Sequence, residues 1–84
     1  MPLRPDEIGP DGVRRPAEME AKLNSLFASV FSGPDGQAVI DHLRSITLNR
    51  LNGPEVSSDH LRHVEGQRFL VGVILQRIEK GKRQ

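Results

Sequence analysis

The stretch Ser57–Lys80 runs for six turns without a proline, and no other segment constrains the fold as strongly. Ser57 and Ser58 are both N-cap residues, able to accept from the first free backbone N–H groups. Asp59 falls in the first turn and Arg77 and Lys80 in the last, matching the helix dipole. Leu61, Val64, Val71, Leu75 and Ile78 recur at three- and four-residue steps and share one face, with Arg68 in the same row. A second stripe of Gly66, Leu70 and Val73 or Ile74 lies to the side. A helix that is apolar on more than one side is covered on more than one side. The pattern predicts the central helix of a small bundle over 57–80.

Two shorter helices are expected before it. In Pro16–Phe31, Pro16 suits the first helical position. Met19, Leu23, Leu26 and Val30 form an apolar row with Phe27 and Phe31 beside it, while Glu20, Lys22, Asn24 and Ser25 take the other side. Ser32-Gly33 ends that helix and Pro34 opens the next, so the link is short enough for an antiparallel α-hairpin. The second helix is expected over Pro34–Asn49, with Val39, Leu43 and Ile46 inward. Gly36 has poor helix propensity, and its expected use is to admit a neighbouring backbone. Asn52-Gly53-Pro54 marks the loop to the long helix. The fold class is therefore all-α: a three-helix bundle over 16–84, preceded by a segment of different character.

That segment, Met1–Arg15, carries Pro2, Pro5 and Pro10 with Gly9 and Gly12, and its charges cancel. Prolines at this density oppose a helix or a central strand. It reads as a solvated tail or as an extended arm that orders on a partner, anchored by Leu3, Ile8 and Val13. No strand pattern of useful length is evident elsewhere. The segment has no apolar core of a secretory signal, and the longest apolar run, Phe69–Leu75, is too short to span a membrane.

With 84 residues there is room for one core. A core of this size supplies about 3–5 kcal/mol, and no cysteine is present to add a disulfide or a thiolate metal site. Assembly on a larger partner is a ready source of further stability. A formal charge of +1 does not by itself imply nucleic acid or a membrane. The basic cluster Arg77, Lys80, Lys82 and Arg83 is a candidate for phosphate contacts, weighed against a dipole-matched helix end in water. His60 and His63 have a metal-ligand spacing but few further ligands nearby, and read as surface residues. Gly33-Pro34-Asp35-Gly36 lacks the length and the lysine of a phosphate-binding loop. No catalytic constellation is legible, so no enzyme activity, cofactor or small-molecule substrate is expected. Gly66 and Gly72 inside a helix point to a close neighbouring backbone. Arg68 in a core row is expected to snorkel, to pair internally with Glu65, Asp41 or Glu20, or to reach across a subunit interface.

The run Phe31-Ser32-Gly33-Pro34-Asp35-Gly36-Gln37-Ala38-Val39-Ile40-Asp41-His42-Leu43, followed by Glu65-Gly66-Gln67-Arg68, resembles a family of small tailed-phage proteins named after a Bordetella podophage gene product. The likeness covers about residues 31–78 and leaves Met1–Arg15 outside. It matches at Gly36, Glu65, Gly66 and Arg68, whose roles look like packing or interface contacts, with Gly72 beside them. The resemblance implies a phage protein of the head and packaging neighbourhood, without enzyme activity. Its expected setting is the virion, with the host cytoplasm during assembly. Expected partners are other phage structural proteins of capsid, portal or tail adaptor, or further copies of the chain in the particle. A DNA-packaging accessory of small-terminase type and a phage regulator of a host protein are the alternatives.

Overall fold

A computed structural model describes residues 6–49 and 57–84. In chain order the elements are β1 (Asp6–Ile8), β2 (Arg14–Pro16), α1 (Ala17–Val30), α2 (Pro34–Ile46) and α3 (Ser58–Arg83). The protein is largely helical, with the three helices in the expected order.

The expectation of an unstructured or extended arm is overturned within the described residues. β1 and β2 pair antiparallel, with Asp6 opposite Pro16, Glu7 opposite Arg15 and Ile8 opposite Arg14. The turn explains why the prolines do not prevent this. Gly9-Pro10-Asp11-Gly12 closes with Gly12 N–H donating to the Gly9 carbonyl at 2.9 Å. Proline sits at the second turn position, where its fixed φ fits, and Gly12 takes the left-handed conformation at φ 82°. Asp11 Oδ1 accepts from Val13 N–H at 3.1 Å and locks the return. Pro16 ends β2, where a missing donor costs no ladder bond. The same Pro16 caps α1, which starts at Ala17 instead of at the proline.

α2 begins as expected, with Pro34 at its first position and Gly33 as the N-cap. It ends at Ile46, three residues early. Ser45 and Thr47 hydroxyls donate back to the His42 and Leu43 carbonyls, both at 2.6 Å, and compete with the next helical turn. α3 is capped by Ser57, whose Oγ accepts from His60 N–H at 3.1 Å. It continues through Gly81 to Arg83 rather than fraying after Lys80.

The core is small. Ala17, Ile40, Val64, Val71, Val73 and Ile78 are its buried apolar residues among those described. α3 packs mainly against α1. The face α1 turns inward is Ala17, Glu20 and Asn24, not the apolar row. The assembly is flat, 57 × 31 × 13 Å, with a radius of gyration of 15.6 Å. A globular chain of this length has about 12 Å. Its accessible surface is 6219 Å², against about 5,000 Å² for a folded monomer of 9.4 kDa. A slab one helix layer thick leaves apolar groups uncovered on its sides.

Candidate interaction surface

Two features stand out: a buried ionic clasp that holds the hairpin to the helices, and apolar surface that the chain does not cover. The clasp is centred on Arg77, which is 3% exposed. Its Nη1 donates to Glu20 Oε2 at 2.8 Å and to Asn24 Oδ1 at 3.0 Å, and Nη2 reaches Glu20 Oε1 at 3.3 Å. From the hairpin, Arg15 donates to Glu20 Oε1 at 2.8 Å and to Asp11 Oδ2 at 2.7 Å. Asp11 also faces Arg77 Nη2 at 3.7 Å. The Arg77 guanidinium lies 6.0 Å from the Phe27 ring centroid. Two cations and two carboxylates balance, and no buried side-chain polar atom among the described residues lacks a partner.

The carboxylates are held ionised. The hydrogen bond from Arg77, helped by that from Arg15, lowers the Glu20 pKa against the opposing effect of burial. The hydrogen bond from Arg15, then the Val13 N–H, lowers Asp11 well below the usual carboxylate range. The hydrogen bond to Asp11, then that to Glu20, raises the pKa of Arg15.

This arrangement corrects the reading of Arg77 as a phosphate contact. Its guanidinium is turned inward, because Glu20 and Asn24 line the face of α1 that meets α3. The helices come close enough for this because Gly81 lies against α1. A Cβ at Gly81 would collide with the Asn24 carbonyl oxygen and lie 2.6 Å from Ala28 Cβ. The other residues of the basic cluster stay outside: Lys80, Lys82 and Arg83 are exposed, with Arg83 3.2 Å from Glu79.

The remaining sequence-predicted residues are scattered. Leu3 lies outside the described residues. Ile8 and Val13 are exposed on the hairpin. A Cβ at Gly36 would lie 2.5 Å from Phe31 Cα, so the α1–α2 corner closes on that glycine, and Gln37 Nε2 donates to the Phe31 carbonyl at 2.9 Å. Added Cβ atoms at Gly66 and Gly72 would meet nothing within 4 Å among the described residues, so no described backbone approaches either glycine. Arg68 pairs with Glu65 at 2.9 Å, and its Nε donates to the Thr47 carbonyl at 3.2 Å, tying α3 to the end of α2. His63 lies 3.2 Å from Gln67 Nε2, and no group of three metal-ligating residues is gathered among those described. None of the described helices is long and apolar enough to cross a membrane.

Among the described residues, apolar surface is uncovered in at least two places. One is the α1 row, ending in a shallow hollow lined by Leu26, Phe27, Val30 and Phe31. The other is a groove between α2 and α3, lined by Leu43, Ile46, Thr47, Gln67, Leu70 and Val71. Phe69 and Leu70 are 59% and 60% exposed on that part of α3. Sequence reasoning named these residues but assigned them to a core. The missed signal was Glu20 and Asn24 at helical spacing with Arg77 available on the long helix.

These features define a small, mostly helical protein whose chemistry lies in its surfaces and internal ionic packing. The family model described as Bbp19-like phage protein matches residues 27–83, and the chain belongs to that family. The match extends a few residues beyond the motif-based likeness at each end, and omits the hairpin and the first turns of α1. No curated protein and no solved structure matches the chain.

Proposed function

We propose that this phage protein is a non-enzymatic structural or assembly component of the virion, carried in several copies on a capsid, portal or tail-adaptor structure. The observation that carries this reading is the uncovered α2–α3 groove, in whose lining Leu70 is 60% exposed. Scattered exposed apolar residues are ordinary on a protein surface. An apolar groove with a large exposed side chain in its lining, and Phe69 exposed on another side of the same helix, is the form of a docking surface on a chain with so little core. The exposed Ile8 and Val13 of the hairpin offer a second, smaller contact. The family membership supports a phage setting; within it, this reading puts the protein in the particle, and in the host cytoplasm while particles are built.

The DNA-packaging alternative is weakened by the burial of Arg77, which leaves Lys80, Lys82 and Arg83 as the exposed cations of that cluster. Mass spectrometry of purified particles separates the readings. A structural component is present at a fixed ratio to the capsid protein, whereas a packaging accessory or host regulator is absent. Phe69→Asp with Leu70→Asp should keep the circular dichroism spectrum, since both positions are exposed, and abolish incorporation. Normal incorporation of that variant rejects the groove as the docking site.

A further inference from the structure

We propose that the exposed row of α1 is covered by the same row of a second copy, in an isologous antiparallel helix pair. The row is Met19, Leu23, Leu26 and Val30, with steps of four, three and four residues. That spacing is the a/d pattern by which one helix packs along another of equal form. Yet among the described residues the row is largely uncovered: Met19 is 52%, Leu26 50% and Val30 68% exposed, and only Leu23 is half-buried. The side of α1 that meets α3 is the one bearing Ala17, Glu20 and Asn24. The apolar row of coiled-coil spacing lies about a third of a turn round the helix from that side, and most of its surface faces away from the described residues.

Three observations favour a second copy over another occupant. The first is area. The chain exposes about 1,200 Å² more than a folded monomer of its mass, and a standard interface covers about 800 Å² on each partner. The second is charge. The row itself contains no ionisable residue, so the seam between two copies buries no charge. The third is shape. The far end of the row carries the hollow of Leu26, Phe27, Val30 and Phe31, whereas the near end carries the flexible Met19. Antiparallel pairing about a point between Leu23 and Leu26 brings each Met19 to the other copy's hollow. Methionine suits such a gap because it is unbranched and adaptable. A twofold axis satisfies both ends with one surface. The pairing does not depend on the groove between α2 and α3, which lies on other elements.

Sedimentation equilibrium of the full chain should give twice the monomer mass at micromolar concentration. Leu26→Glu with Val30→Glu should give a monomer of unchanged helix content, while Leu70→Asp should leave the dimer intact. The chain has no cysteine. A Met19→Cys protein mixed with a Val30→Cys protein should therefore form the mixed disulfide faster than either forms its own. These substitutions keep the row apolar, so the register can be read even if the glutamate variant does not fold. A monomer at high concentration overturns the proposal and leaves the row to a different phage protein. So does a dimer that survives in the glutamate variant, or one whose cross-links favour Met19→Cys with itself.

Discussion

The two halves of α3 are one continuous helix in opposite circumstances. From Val71 onward, Val71, Val73, Arg77 and Ile78 are buried and Gly81 presses against Asn24 and Ala28. From Ser58 to Leu70 only Val64 is buried, and Leu61, Phe69 and Leu70 are exposed. The first half holds only its end of the contact with α2, through Arg68 and the groove. The comparison teaches where this chain stops stabilising itself. Small residues, a clasp and a close helix contact are gathered at the carboxy-terminal half. The other half carries large apolar side chains with no cover of their own, which is what a surface reserved for a partner looks like.

The largest test of that contrast is Arg77→Leu. Removing one partner of a buried ion pair costs about 3–5 kcal/mol, and although Arg15 still holds Glu20, the clasp is then left with two carboxylates against one cation. A core of this size supplies a comparable total, so the variant should be unfolded or barely folded in thermal melts. The double variant Glu20→Leu/Arg77→Leu should recover much of the loss, since no charge is then left without its mate. Acid provides the same test without mutation. The folded pKa values of Glu20 and Asp11 are lowered, so their contribution is complete above the ordinary carboxylate value of about 4 and fades as pH falls below it. The double variant should lose less of its stability between neutral pH and pH 3 than the natural protein. Equal acid sensitivity in both would mean the clasp does not anchor the carboxy-terminal half.

Much of this division was legible in part. Helix order, the Ser57 cap and the start of α2 at Pro34 follow from local signals, because caps and proline geometry act within a few residues. The hairpin was also signalled locally, by the Gly9-Pro10-Asp11-Gly12 turn, but three-residue strands are too short to show alternation. The inward face of α1 was not legible. Apolar periodicity placed Met19, Leu26 and Val30 inside, whereas Glu20 and Asn24 took that place because Arg77, more than fifty residues away, neutralises them. A pairing over that distance leaves no mark in the local pattern. Close packing was expected at Gly36, Gly66 and Gly72: Gly36 does lie against the backbone of Phe31, Gly66 and Gly72 meet no described residue of this chain, and Gly81, where helix continuation had not been expected, presses on α1.

Gly81→Ala should have an intermediate effect. Alanine gains about 1 kcal/mol in helix propensity. Its Cβ, however, would overlap the Asn24 carbonyl and crowd Ala28, and both helices must part to admit it. Overpacking of this kind costs about 1–3 kcal/mol. The net change should be a lower melting temperature, together with weaker hydrogen-exchange protection of the α1–α3 contact. A rise in melting temperature would mean that the two helices are not in close contact at this point.

The smallest effect is expected at Gly66 and Gly72, and its sign is the informative part. Both lie within α3, where glycine is less favourable than alanine by about 1 kcal/mol. A Cβ at either position would meet nothing within 4 Å among the described residues. Gly66→Ala and Gly72→Ala should therefore each stabilise the isolated protein by up to about 1 kcal/mol, opposite in sign to Gly81→Ala. If either variant melts lower than the natural protein, the contrast between the glycines fails. If both melt higher but a variant is poorly incorporated into particles, the missing Cβ serves an external backbone, and the partner's contact is located on that turn of α3. If both melt higher and incorporate normally, these glycines serve neither the fold nor the docking, and the interface is confined to the large side chains Phe69 and Leu70.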